Sequence, residues 1–88
     1  MSQQYRVELA GPVAKQLRKL EHTVRRRVLL ALQALSDDPR PVGARKLVGA
    51  DTAWRIRVGD FRVIYEVDDA ILTVLVVRVG HRREVYDR

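Results

Sequence analysis

At 88 residues the chain has room for one domain with a modest core, and its lack of cysteine excludes disulfides and thiolate metal sites. The N-terminus carries no apolar signal core, and the longest apolar stretch, residues 71–77, is far too short to span a bilayer, so a soluble, cytoplasmic protein with no membrane contact is expected. Basic residues outnumber acidic ones 17 to 11, and 14 of the 17 are arginine; the planar, permanently charged guanidinium pairs bidentately with phosphate, which points to nucleic acid or an acidic partner.

The first element is a strand over residues 4–9, where Tyr5, Val7 and Leu9 alternate with Arg6 and Glu8. Gly11-Pro12 opens a helix, since proline at the first helical position has a suitable φ and lacks only an N–H that would go unpaired. Val13, Leu17 and Leu20 form its apolar side. Thr23 is the expected N-cap of a second helix with the stripe Val24, Val28, Ala31, Leu32 and Leu35, ended by Asp37-Asp38-Pro39. Arg25, Arg26 and Arg27 near its start read as solvated, with a nucleic-acid contact as the functional alternative. Residues 39–52 read as a connecting loop around Lys46-Leu47.

Residues 54–65 alternate apolar and polar side chains on either side of Gly59-Asp60, the pattern of a β-hairpin with a two-residue turn. That register pairs Val58 with Phe61, Arg57 with Arg62, Ile56 with Val63 and Arg55 with Ile64. Trp54, Ile56, Val58, Phe61, Val63 and Tyr65 then share the core face. Arg55, Arg57 and Arg62 gather on the other. Like charges directly opposite one another destabilise a sheet, so the cluster makes sense as an anion site, with Glu66 and Glu84 as possible structural neutralisers. After a turn at Asp68-Asp69-Ala70, residues 71–79 form an apolar run expected to be a central strand covered on both faces. The tail is Gly80-His81-Arg82-Arg83-Glu84-Val85-Tyr86-Asp87-Arg88. The expected architecture is α+β in the order β-α-α-β-β-β, a two-helix hairpin packed on a small, mostly antiparallel twisted sheet, in one domain over residues 1–88.

The element order, the hairpin and the tail together resemble the RelE/ParE toxin superfamily, and the RelE branch of type II toxin–antitoxin systems most closely. The resemblance implies a toxin that cuts mRNA within the A site of the 70S ribosome and is held inactive by a RelB-like antitoxin in a hetero-oligomer. It implies contacts with mRNA and ribosomal RNA, and no cofactor or metal. Matched to the family pattern, the catalytic set is Arg62, Arg82 and Tyr86, with His81 as a further candidate acid or base, and the RNA-binding set is Lys46, Arg55, Arg57 and Arg83.

Metal-independent RNA cleavage needs a base for the 2′-OH, charge stabilisation for the phosphorane and a proton for the leaving 5′ oxygen. Tyr86 is the candidate base; surrounding guanidiniums favour a phenolate over the ordinary tyrosine pKa of about 10. Arg62 stabilises the phosphorane, and Arg82 shares that task or donates a proton through water. RelE-type enzymes often carry lysine where this chain has Arg55 and Arg57, and arginine there favours charge stabilisation over proton donation. Two alternatives accompany this reading: a ParE-like inhibitor of DNA gyrase without chemistry of its own, and a non-catalytic RNA-binding module.

Overall fold

The fold is organised around the turn between two strands. In the computed structural model, which describes residues 4–49 and 51–83, Gly59 takes φ +60° while Asp60 keeps a negative φ. This is the pattern of a type II′ turn, whose twist matches that of the flanking strands. It joins β3 (Ala53–Val58) to β4 (Phe61–Asp68) in the expected register, with Val58 opposite Phe61, Arg57 opposite Arg62, Ile56 opposite Val63 and Arg55 opposite Ile64.

The other strands are β1 (Arg6–Leu9), β2 (Arg45–Lys46) and β5 (Thr73–His81), and the sheet order is β1-β5-β4-β3-β2. Only β1 and β5 run parallel. The region expected to be a plain loop therefore contains a two-residue edge strand, formed where Arg45 and Lys46 pair with Arg55 and Trp54. A strand this short carries no alternation to detect.

Helix α1 (Gly11–Arg18) begins with Pro12 in its first turn, and α2 (His22–Ala34) follows after a short bend. Its N-cap is Glu21 rather than Thr23: the Glu21 carboxylate accepts from the Thr23 and Val24 N–H groups at 3.1 and 3.3 Å. Both helices lie on one face of the sheet. Val13 and Leu17 of α1, with Val28, Leu32 and Leu35 at α2, bury against Ile56, Val63, Tyr65, Val67, Val74, Val76 and Val79. Each such side chain contributes about 1.5–3 kcal/mol of transfer free energy. Trp54 and Val58 pack against this cluster.

Strand β5 departs from expectation. It starts at Thr73, because the Asp68 carboxylate accepts from the Ala70 and Ile71 N–H groups and holds Ile71 in the turn, exposed. Among the described elements the helices cover only one of its faces, and Leu75 and Val77 are half-buried. Its long apolar run instead reflects a bulge. Ile64 pairs with Arg78 but Tyr65 pairs with Val76, leaving Val77 as the extra residue. The bulge resets the alternation, so Val74, Val76 and Val79 all point into the core while Arg78 falls on the opposite face.

The region between α2 and β2 is fastened at several points. The buried Tyr65 phenol donates to the Pro39 carbonyl at 2.7 Å, and burial pushes its pKa up to about 12, keeping it a donor. Asp69 accepts two hydrogen bonds from Arg40, at 3.1 and 2.8 Å, and one from the Tyr5 hydroxyl at 2.6 Å. The Arg40 guanidinium also lies over the Trp54 ring at 5.4 Å.

Two carboxylates in these fastenings sit below their ordinary pKa: Glu21 through the two helix N–H groups, and Asp69 through the hydrogen bonds from Arg40 and Tyr5. A depressed carboxyl stabilises the fold above its unfolded-state pKa, about 4, and loses that contribution as pH falls through the lower folded value. Chemical denaturation between pH 7 and 3 should therefore show a stability loss on the acid side. Glu21→Gln and Asp69→Asn should each be less stable than the parent at pH 7 and approach it at low pH. A constant offset at every pH would contradict this origin.

Candidate nucleic-acid interface

Alternation across four strands builds the helix-free face in rungs. Nearest the hairpin turn, Arg57 of β3, Arg62 of β4 and Gly80 of β5 lie side by side. Directly opposed side chains have Cβ atoms about 5 Å apart, so the two arginines are immediate neighbours and Gly80 adds no side chain beside them. Two residues further along the strands, about 7 Å away, the next rung is Arg45, Arg55, Ile64 and Arg78. Beyond it lie Ala53, Glu66, Leu75 and Glu8. The last rung adds Asp68, Thr73 and Arg6, and Arg6 forms an ion pair with Glu8 at 3.6 Å. The face is thus basic toward the hairpin turn, while toward the other end carboxylates outnumber the single arginine.

Arg55 is only 7% exposed, the one buried charged residue among those described. Arginine is among the residue types least often buried, and a side chain withdrawn this far from solvent has little freedom to move away from what it binds. Arg57, Arg45 and Arg78 are exposed around it, and Arg62 is half-buried. The buried Arg55 and half-buried Arg62, partly desolvated, interact more strongly with an incoming anion than the same groups in bulk water.

The sequence-derived candidates are distributed as follows. Arg55, Arg57 and Arg62 come together on this face, as the alternation implies. The Arg82 backbone N–H donates to the Asp60 carbonyl at 2.8 Å, which anchors the chain leaving β5 beside the hairpin turn. His81 is placed elsewhere: it pairs with Phe61 on the helix side of the sheet, the two rings edge-to-face at 5.5 Å. Its Nδ1 accepts from the Arg83 N–H at 3.2 Å. Lys46 pairs with Trp54 and so belongs to the opposite face from Arg55. Arg83 is exposed. Tyr86 and Glu84 lie outside the described residues. Sequence reasoning missed Arg45 and Arg78; the first needed the edge strand and the second needed the bulge.

Arg27 of α2 also approaches the hairpin turn, where its guanidinium would lie 3.4 Å from a Cβ at Gly59. It adds a cation at the turn end of the sheet, on the helix side.

Two helices on one face of a five-stranded mixed sheet, with an arginine cluster on the other, define a small α+β domain shared with known toxins. The ParE toxin family of type II toxin–antitoxin systems matches residues 7–86. Toxin RelG of Mycobacterium tuberculosis is 34% identical over 88 residues, covering 96% of this chain and 98% of RelG. The mRNA interferase toxin RelE of Escherichia coli is 36% identical over 76 residues, covering 82% of this chain and 79% of that protein. The archaeal RelE of the RelE–RelB complex from Pyrococcus horikoshii superposes with a TM-score of 0.82 at 30% identity, covering 93% of this chain and 99% of that one. The chain belongs to the RelE/ParE superfamily and is a RelE-like toxin of the type II toxin–antitoxin class.

The opposed Arg57–Arg62 pair makes a measurable prediction. Arg57→Thr replaces one charge with a good strand former and should raise stability by up to about 1 kcal/mol. The gain should shrink toward 1 M salt, where the screening length falls to about 3 Å. Denaturant titrations at low and high salt measure both; an unchanged midpoint would mean that the pair carries no net repulsion.

Proposed function

We propose that this toxin is an mRNA interferase, a ribosome-dependent endoribonuclease that cuts mRNA in the A site. In this reading a cognate RelB-like antitoxin keeps it inactive in a hetero-oligomer. The observation that carries the proposal is the helix-free face, where Arg57 and Arg62 stand opposite one another with the embedded Arg55 beside them. Two relatives add support: the E. coli protein named an mRNA interferase toxin, and the P. horikoshii toxin solved with its RelB partner.

In the reaction, the 2′-oxygen attacks the adjacent phosphorus while its proton passes to a base. The P–O5′ bond then breaks, leaving a 2′,3′-cyclic phosphate and a 5′-hydroxyl that takes up a proton. Negative charge peaks on the non-bridging oxygens of the phosphorane. Arg62, half-buried at the turn end of the sheet, is the group assigned to them, with Arg57 directly across the strand pair. Arg55 and Arg57 hold the flanking backbone. Tyr86 is the assigned base, and Arg82, fastened beside the turn through its backbone, completes the charge set. No metal ion or cofactor has a role in this scheme. Arg83 and Lys46 are assigned peripheral RNA contacts. His81 reaches the reaction only if the tail brings RNA around to the helix side of β5.

The match to the ParE toxin family keeps one alternative beside this reading, the ParE-like gyrase inhibitor without chemistry of its own. Induced expression without antitoxin separates the two. The nuclease reading predicts growth arrest with mRNAs cut inside translated codons; intact mRNA with gyrase-linked DNA breaks would establish the alternative. In translation reactions in vitro, Arg62→Ala should slow cleavage by about 10²–10³-fold and Tyr86→Phe by about 10²–10⁴-fold, with both proteins folded. Wild-type rates in both variants would overturn the assigned site.

A further inference from the structure

The nuclease reading leaves the course of the RNA over the face open, and the rungs restrict it. Following the strands away from Arg57 and Arg62, a polyanion passes Arg55 and then meets Glu66 and Glu8. Following a rung, it meets arginine on both sides. Arg45 lies on the edge strand β2, and Arg78 lies on β5 beyond the end of β1, whose pairing stops at Leu9 opposite Val76. Both are exposed. The row from Arg45 to Arg78 crosses three strand spacings, about 14 Å, which exceeds the reach of a single phosphate.

We propose that Arg45 and Arg78 are phosphate-binding residues flanking Arg55, and that single-stranded RNA crosses the face transversely, along this rung. The inference rests on the nucleic-acid reading above and adds the direction of the strand and two residues that hold it. Arg62 acts on the reacting phosphate, with Arg57 across the strand pair on the adjoining backbone; Arg45, Arg55 and Arg78 hold the backbone beside it. The Glu66 carboxylate, with Asp68 on the same strand face beyond it, borders the track and repels phosphates from the far half of the sheet, while Glu8 is offset by its ion pair with Arg6. The rung ends at the edge strand on one side and on the other at the β5 edge beyond β1, where the Gln16 side chain of α1 accepts from the Val79 N–H at 2.8 Å, so a long RNA enters and leaves over these margins. The Val77 bulge acquires a function here, because without it Arg78 would face the core.

The test is fluorescence anisotropy with a single-stranded RNA oligonucleotide 2′-O-methylated throughout, which binds without being cut, titrated across a salt series. Arg45→Ala and Arg78→Ala should each reduce the log–log salt slope by about 0.7. Arg78→Lys should restore the slope, and Arg26→Ala, on the exposed side of α2, should leave it unchanged. Thermal melts check that each variant is folded. If wild-type slopes persist in both alanine variants while Arg57→Thr lowers the slope, the transverse track is wrong and the nucleic-acid reading survives. If the wild-type protein does not bind the oligonucleotide, both fail together.

Discussion

Everything proposed for this protein depends on the period of two in a β-strand. A slip of one residue exchanges the faces of a strand completely, and on this sheet the exchange would put arginines into the core and valines at the surface. Two backbone features hold the phase. The Gly59-Asp60 turn sets β3 against β4 so that Arg57 and Arg62 face the same way. The bulge at Val77 shifts the phase within β5, so that Val79 returns to the core and Arg78 joins the arginines. The basic face is therefore a product of backbone register.

That dependence explains which parts of the structure could be read in advance. The β3–β4 hairpin was fully legible, because a Gly-Asp pair between two alternating runs permits only one sensible register. Strand β5 was legible as a strand but not in its phase: residues 71–79 are so uniformly apolar that they carry no alternation to break, and the bulge is invisible. Arg78 was missed for that reason. Arg45 was missed because its two-residue strand exists only through pairing with Arg55 and Trp54. The α2 cap lies two residues before Thr23, an ordinary cap by type, because Glu21 performs the task through its longer side chain. Both His81 and Lys46 show the limit of assigning a site from position along the chain: they neighbour the arginine cluster in sequence, and they pair with residues on the other side of the sheet.

The division of labour between the faces is physical. One side of the sheet is filled by two helices and supplies the burial that holds the domain together. The other carries opposed arginines and the embedded Arg55, an arrangement a structure selected for stability alone would avoid. Similarity to RelG and RelE places the chain among toxins of toxin–antitoxin systems, and the charged face is where the proposed reading puts its chemistry. For the proposed track Glu66 matters as well as the arginines, because a uniformly basic sheet would hold a polyanion in any direction.

The most direct test of the central claim, that the helix-free face is where RNA binds, is residue-resolved NMR of the isotopically labelled protein titrated with the uncleavable RNA. The backbone amide and arginine Nε–H resonances of Arg45, Arg55, Arg57, Arg62 and Arg78 should shift together, with those of α1 and of the acidic rung little changed. Shifts concentrated on the helices, with the arginine rungs unmoved, would contradict it.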